Sequence, residues 1–324
     1  MIEPFGCRRM TYTVSRFITR CMSQYTKEKA HNTPKKLNKG IDKHRGKGQR
    51  IPLPEVHGEV LWGIHPVSAA LQAGKRQIHQ ALFQHGLNTS RVLELRMQCE
   101  RLTIPLLAVR NDILEEISGH HPHQGVCLDV SARMSRFIDV NRDINRSSLT
   151  DIETGEPSVW VLPYRVVDTM NMGAILRSTH FFGADKVLLP SYYSASLNAV
   201  VSKASAGAME VLDFLRLQDE SQLEFALQKW RDAGGVIVGS TSNKEHSCMV
   251  PLHQFTADKP ILLLIGNEAT GLPDAICQHC DVLLYIGGHT FTSADHWHVS
   301  SLNVSVATGI LLHSIMQTRL KTNR

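Results

Sequence analysis

Four short stretches of the chain combine glycines with polar and charged residues in ways that could bind a ligand or take part in a reaction. They are Asp168-Thr-Met-Asn171-Met-Gly173-Ala-Ile-Leu-Arg177, Gly239-Ser-Thr-Ser-Asn243, Gly266-Asn-Glu268-Ala-Thr-Gly271, and Ile286-Gly-Gly288 with the later Ser301-Leu-Asn303. Glycines let backbone N–H and C=O groups approach a ligand closely. The stretches lack the GxGxxG pattern of a dinucleotide site and the GKS or GKT ending of a P-loop. The sequence therefore predicts a ligand other than NAD or ATP.

Each polar residue in these stretches also has a plainer structural interpretation. Asn171 and Glu268 could cap helices, and Arg177 could lie on a solvated helix face or form a salt bridge. The serines and asparagine of 301–305 could be polar groups satisfied at a helix N-terminus. For any one residue the structural interpretation is favoured, but four such stretches in order favour a shared site.

The elements that would position these stretches form a strand–helix–strand pattern from residue 158 onward. The predicted strands are SVWVL (158–162), KVLLP (186–190), GVIVGS (235–240), PILLLIGN (260–267) and DVLLYIGG (281–288). Short strands that are apolar on both faces and alternate with helices indicate an α/β fold with a covered parallel sheet. Ligands of such sheets bind beyond the carboxyl ends of the strands, and the four stretches follow four of these strands.

The chain is long enough for two domains and extensions. Residues 55–130 alternate short helical and strand patterns and predict a small α/β domain. Residues 131–157 are polar and aperiodic, so we interpret them as a linker. The larger domain is then predicted to span 158–324.

The positive charge of the chain is concentrated in its N-terminal arm. Residues 1–50 carry a net charge of +10, whereas the rest carries −5. Residues 1–22 are rich in Arg, Ser and Thr with one acid, which is typical of a mitochondrial transit peptide. Residues 23–54 predict a basic disordered linker that could also touch RNA phosphates. The sequence has no apolar run of the ~18 residues that would predict a membrane span.

Two groups of potential metal ligands do not predict a metal site. Cys277 and Cys280 have CxxC spacing but lack a second pair to complete a site. His120, His121 and His123 lie in a turn-like segment, SGHHPHQG, which favours a solvated loop. The seven cysteines are scattered and odd in number, so they do not indicate a disulfide framework either.

Three motifs in order carry a resemblance to a known family. NMGAILRS…FGADKVLL, LLLIGNEATGL and SLNVSVATGILL, within 158–317, resemble the SpoU family of RNA ribose 2′-O-methyltransferases in the SPOUT superfamily. HGEVLWGIHPVSAALQAGKR and HQGVCLDV, within 57–130, resemble its N-terminal RNA-binding domain, which is L30e-like. The resemblance implies a deep trefoil knot in the C-terminal domain, S-adenosylmethionine (SAM) as cofactor and a homodimer formed through that domain.

The resemblance also implies roles for particular residues. The cofactor-binding residues would be Gly266, Ile286 and Leu302, to which we add Ser240 and Thr241. Among the catalytic residues, Arg177 would activate the ribose hydroxyl. Asn171 and Glu268 would position Arg177 and the ribose. Ser301 and Asn303 would shape the target pocket. Ile286-Gly287-Gly288 departs from the family's usual Ile-Pro-Met, and the loop at 289–300, with Trp297 and His298, is longer than expected.

With the transit-like leader, the resemblance implies an enzyme of the mitochondrial matrix that methylates a guanosine ribose of large-subunit ribosomal RNA (rRNA). Two alternatives stay open at this point. One is a non-catalytic rRNA-binding assembly factor with the same fold, and the other is a transfer RNA (tRNA) 2′-O-methyltransferase. Neither a membrane nor a metal ion is expected as a partner.

Overall fold

The computed structural model describes residues 53–150, 155–241, 248–267, 270–288 and 301–322, with side chains described as far as residue 319. The predicted leader, nearly all of the basic linker, Glu268 and the 289–300 loop lie outside these residues. Among the described residues, no helix has both the length and the apolar character needed to cross a membrane.

The smaller sheet is formed by the predicted N-terminal α/β region. Its elements are β1 (Glu59–Trp62), α1 (Ile64–Ala73), β2 (Ile78–Gln84), α2 (Ser90–Arg101), β3 (Leu106–Val109), α3 (Asn111–Ile117) and β4 (Val126–Val130). The four strands lie in the order β1-β4-β2-β3. The β1–β4 and β4–β2 pairs are antiparallel and β2–β3 is parallel. The pattern of alternating strands and helices read from the sequence is confirmed here.

The larger sheet contains eight described strands, all parallel to their neighbours. In chain order the elements are β5 (Arg136–Phe137), α4 (Val140–Asp143), β6 (Val159–Pro163), α5 (Thr169–Phe182), β7 (Lys186–Leu189), α6 (Ala199–Ala204), α7 (Ala208–Val211), β8 (Phe214–Arg216), α8 (Glu220–Asp232), β9 (Val236–Ser240), β10 (Met249–Pro251), β11 (Ile261–Ile265), α9 (Asp274–Cys277), β12 (Val282–Tyr285) and α10 (Val304–Thr322). The strand order is β10-β12-β9-β11-β6-β7-β8-β5. The predicted parallel sheet is therefore confirmed.

The central strand β6 explains why the predicted strands are apolar throughout. Its side chains alternate between two cores: Val159 and Val161 pack on one face of the sheet, and Trp160 and Leu162 on the other. Trp160 meets Trp230 of α8 edge-on, with ring centroids 5.0 Å apart. Because both faces are covered, each residue of the strand is buried, and the alternation of polar and apolar residues that marks a half-exposed strand is absent.

The segment 131–157 differs from its prediction as a linker. β5 pairs with β8 at the edge of the larger sheet, and Ile138, Ile144 and Leu149 are buried in that sheet's core. The segment looks polar because its few apolar residues are widely spaced, yet these residues are the ones that pack. The correction is that residues 136–149 of this segment pack as part of the larger sheet and its core.

The final helix α10 lies beside α5. A Cβ built on Gly309 of α10 would lie 3.6 Å from Ser178 Oγ of α5. One turn further along, Phe182 contacts His313 with ring centroids 5.8 Å apart. The predicted trefoil knot stays a prediction, because the path of residues 289–300 into α10 lies outside the described residues.

Candidate active site

The order of strands places a crevice between the carboxyl ends of β6 and β11. From β6 the chain moves to β7 and β8 on one side, then crosses to β9 and β11 on the other. Loops leave the sheet in opposite directions at such a reversal and open a crevice for ligands. One hydrogen bond joins the two loops here, from Asn267 Nδ2 to the carbonyl oxygen of Arg165 at 2.9 Å.

Two asparagines far apart in sequence meet beside this crevice. Asn303 Nδ2 donates to Asn171 Oδ1 at 3.0 Å. Asn303 Oδ1 accepts from the backbone N–H of Ser305 at 2.9 Å and from its hydroxyl at 2.6 Å. The start of α5 and the start of α10 are therefore joined by side chains, as expected if both face one site.

The N-cap of α5 is Asp168, three residues before Asn171, which the sequence suggested as a possible cap. Asp168 Oδ1 accepts from the N–H of Asn171 at 2.7 Å. The structural interpretation of Asn171 as a cap is therefore wrong, and its side chain is directed to Asn303 instead. The carboxylate of Asp168 meets the orphan N–H groups of the helix start and holds Asn171 in place.

Arg177 lies on the exposed side of α5, less than two turns beyond Asn171. Its side chain forms no ion pair or hydrogen bond with any of the described residues. The salt-bridge interpretation is thus not supported in the part of the chain that the structure describes. An exposed guanidinium of this kind can approach the phosphates of a polyanionic ligand.

Gly266 lies where the chain folds tightly after β11. A Cβ built on it would lie 2.3 Å from the carbonyl carbon of Gly271 and 2.4 Å from the backbone nitrogen of Leu272. Asn267 and Gly271 exchange backbone hydrogen bonds of 3.2 and 2.9 Å, which close the 267–271 loop back on itself. Only glycine leaves space for this approach of two backbone segments.

The other predicted cofactor-binding residues lie at the same edge of the sheet. Ser240 is the last residue of β9, and the Thr241 N–H donates to the Leu284 carbonyl at 3.1 Å. Ile286 is half-buried against the core, and Leu302 is 48% exposed. Ser301 is exposed and makes no hydrogen bond with another described residue.

The predicted cofactor-binding residues include two apolar side chains, Ile286 and Leu302, and the tight backbone turn at Gly266. An adenosyl group needs apolar surface and a few backbone polar groups of this kind. No cluster of three or more His, Cys, Asp or Glu side chains that could hold a metal occurs in the described parts of the chain. Burial raises the pKa of the Cys280 thiol to about 12, so this thiol is protonated at neutral pH.

Two residues of the crevice were missed in the sequence. Asn267 is adjacent to the charged Glu268 in the sequence, and Arg165 lies two residues after β6. Arg165 holds a backbone φ of 56°, which residues other than glycine rarely adopt. Nothing in its neighbours signals this conformation.

Gly266→Ala is expected to weaken SAM binding by about tenfold or more and to lower stability by about 1–3 kcal/mol. The physical reason is that the added Cβ meets backbone, which cannot rotate away as a side chain can. Calorimetric titration with SAM and thermal unfolding measure the two effects. For unfolding, Gly287→Ala is the matched control, because a Cβ there meets nothing within 4 Å. Unchanged SAM affinity in the Gly266→Ala variant would show that this loop is not part of the cofactor site.

Comparison with known proteins finds two family descriptions that together cover most of the chain. The SpoU rRNA Methylase family matches residues 158–313. The family described as RNA 2′-O ribose methyltransferase substrate binding matches residues 60–135.

Individual relatives are similar over most of the chain. The human protein named rRNA methyltransferase 1, mitochondrial is 37% identical, over 82% of this chain and 75% of that protein. The 23S rRNA (guanosine-2′-O-)-methyltransferase RlmB of Escherichia coli K12 is 29% identical, over 81% of this chain and 99% of that protein. The crystal structure of the SpoU methyltransferase AviRb from Streptomyces viridochromogenes, in complex with the cofactor AdoMet, superposes with a TM-score of 0.61 at 25% identity. It covers 81% of this chain and 90% of AviRb.

Proposed function

The chain belongs to the SpoU rRNA methylase family, and we propose that it transfers a methyl group from SAM to the ribose 2′-OH of a guanosine in mitochondrial large-subunit rRNA. It is an RNA 2′-O-methyltransferase that uses SAM. The observation that carries the proposal is the Asn171–Asn303 hydrogen bond. It joins the helix that bears Arg177 to the polar start of α10.

The mitochondrial location is supported by two independent features. Relatives from human, Dictyostelium discoideum and Schizosaccharomyces pombe are named mitochondrial. The sequence of residues 1–22 has the composition of a transit peptide. We place the protein in the matrix, because that is where mitochondrial rRNA is made and modified.

SAM, when bound, supplies a methyl group made electrophilic by a sulfonium. The protein has to hold the ribose in line and favour negative charge on its 2′-oxygen. Arg177 is suited to the second task, because a guanidinium stays protonated at neutral pH and acts by its charge rather than as a base. Alignment alone can supply about 7 kcal/mol of the barrier.

The polar groups around Arg177 align the ribose with the methyl group of SAM. Asn171 and Asn303 fix each other, so neither amide has to be ordered when RNA arrives. Ser301 is exposed next to them, with a hydroxyl that can meet the ribose or its phosphate. Glu268, outside the described residues, keeps the positioning role that the family resemblance implies.

The direct test uses the purified chain, labelled SAM and an unmodified transcript of mitochondrial large-subunit rRNA, with mitochondrial tRNA transcripts in parallel. Methyl transfer to a guanosine ribose of the rRNA transcript is the expected result. Transfer to tRNA alone would replace rRNA by tRNA as substrate. Binding of SAM and rRNA without transfer would instead favour an assembly factor.

A homodimer is part of the proposal. Exposed apolar residues form a stripe along α5, with Met170 at 60% and Phe181 at 79% exposure, and another along α10, with Val306 at 50% and Ile310 at 37%. The two helices lie side by side. Two apolar stripes on neighbouring helices fit a second copy of this chain.

Phe181→Asp is expected to convert the dimer to a monomer, because it places a charge in the apolar contact. Sedimentation at micromolar concentration measures the change. Phe225→Asp is the control, since Phe225 is 44% exposed on α8. A wild-type protein that sediments as a monomer would contradict the dimer, as would a Phe181→Asp variant that remains dimeric.

A further inference from the structure

Two consecutive tyrosines are exposed at the same edge of the sheet as the proposed active site. Tyr192 and Tyr193 follow β7 and are 60% and 69% exposed. The guanidinium carbon of Arg165 lies 5.3 Å from the centroid of the Tyr193 ring and 5.3 Å from that of Tyr164. The methyl-transfer chemistry uses none of these side chains, and exposed tyrosines are enriched where proteins bind a partner.

Hydrogen bonds tie this surface to the active-site loops. The Ala195 N–H donates to the Val166 carbonyl at 2.9 Å, and Asn267 Nδ2 donates to the Arg165 carbonyl. The tyrosine segment and the 266–271 loop are therefore both anchored to residues 164–168, which lead directly into the Asp168 cap of α5. The tyrosines thus lie beside the stretch 164–168, with Tyr192 and Arg165 lining one shallow depression.

The charge of this surface favours a base over a phosphate. Arg165 is paired with Glu220 at 2.9 Å, and Asp219 lines the same depression beside Tyr192. The positive charge is thus compensated, and two carboxylates would repel a phosphate. A nucleobase needs only a flat π-face, which tyrosine and a planar guanidinium both supply.

The backbone holds the surface in an unusual conformation. Arg165 and Tyr193 both have positive φ values, 56° and 54°. Side chains are rarely found in this region, and a fold keeps such residues where the surrounding structure constrains them, often at ligand sites. Here the two strained residues are the two whose side chains contact each other.

We propose that Tyr192, Tyr193 and Arg165 form a stacking platform for one unpaired base of the substrate RNA, next to the nucleotide that is methylated. The inference rests on the proposed function, because it names how that RNA is held. The platform binds a neighbouring base rather than the target ribose. It therefore contributes to RNA affinity and to the choice of site, not to the chemical step.

The test compares Tyr193→Ala, Tyr193→Asn and Tyr193→Phe in the full chain. Asparagine tolerates positive φ, so the second variant removes the ring with little backbone strain. Kinetics of methyl transfer to the large-subunit rRNA transcript give kcat and KM, and equilibrium binding of the same RNA is measured over a range of salt concentrations. Phe225→Ala is the matched control, because it removes another exposed ring that carries a cation, Lys229, at 5.6 Å.

The alanine and asparagine variants are expected to raise KM and the dissociation constant for RNA by about 5- to 100-fold. kcat, SAM affinity and the salt slope of binding stay unchanged, and Tyr193→Phe behaves as wild type. A reduced salt slope would mean that the site binds a phosphate instead of a base. An unchanged KM in the Tyr193 variants would contradict the stacking platform and leave the proposed function intact. Wild-type protein that binds RNA but does not methylate it would instead contradict the proposed function, and the platform would still be judged by binding. Wild-type protein that fails to bind RNA would contradict both.

Discussion

Arg177→Ala is expected to lower kcat for RNA methylation by about 100-fold or more and to leave the dissociation constant for SAM unchanged. The ribose hydroxyl is a very weak acid, so its oxygen needs a positive neighbour as charge develops. Arg177 is exposed on α5 without a partner among the described residues. Its loss therefore leaves no buried carboxylate unpaired in that part of the chain, and the fold should not change.

Single-turnover methylation and calorimetric SAM titration measure the two quantities. Arg177→Lys keeps the charge but not the planar fork, so partial activity is expected. Arg146→Ala is the matched control, because Arg146 is exposed and its side chain has no partner among the described residues. Equal loss of methylation and SAM affinity in Arg177→Ala would mean that Arg177 supports the cofactor site structurally.

Arg76→Ala is expected to destabilise the protein by about 3–5 kcal/mol, because it breaks a buried ion pair and leaves a carboxylate without its partner. Arg76 is bidentate to Glu210, with Nε–Oε2 at 2.7 Å and Nη2–Oε1 at 2.9 Å. Both side chains are 1% exposed. Arg76 also pairs with Glu59 at 2.6 Å, and Ser202 donates to Glu210 at 2.6 Å.

This cluster joins the two α/β regions. Glu59 of β1 and Arg76, in the loop before β2, belong to the region of the smaller sheet, and Ser202 of α6 and Glu210 of α7 belong to that of the larger sheet. Arg76→Ala should therefore also raise KM for RNA, because the substrate-binding region is no longer held against the methyltransferase region. Chemical denaturation and methylation kinetics provide the two readouts.

The double variant Arg76→Met, Glu210→Leu is expected to recover much of the lost stability, because it removes the fully buried carboxylate of Glu210. Glu59, which is partly exposed, keeps its hydrogen bond from the Ala199 N–H. Arg110→Ala, which breaks an exposed pair with Asp112, is the control and should unfold as wild type. A stability loss below about 1 kcal/mol in Arg76→Ala would show that water enters the ion-pair cluster. In that case the cluster does not hold the two α/β regions together.

The sequence predicts the parts of the fold that are set by local pattern. β6, β7, β9, β11 and β12 are apolar on both faces and are found where expected. β5, β8 and β10 have only two or three residues each, which is too few to show the hydrophobic pattern of a strand. The segment 131–157 looked like a linker because its polar residues outnumber the few that pack.

The site is predictable only as far as its residue types and loop positions. The placement of the glycine loop and the polar helix start at one edge follows from a parallel sheet. The Asn171–Asn303 contact, 132 residues apart, and the Arg76–Glu210 pair, 134 apart, depend on tertiary packing that local pattern does not encode. The exposed tyrosines gave no sequence signal, because their meaning comes from Arg165 and from the crevice beside them.

Methylation of a guanosine ribose in mitochondrial large-subunit rRNA can be tested in cells by mapping ribose 2′-O-methylation on mitochondrial rRNA with and without the protein. One mark at a large-subunit guanosine is expected to disappear without the protein, and to return with wild-type protein but not with Arg177→Ala. An identical map in cells with and without the protein would contradict this function.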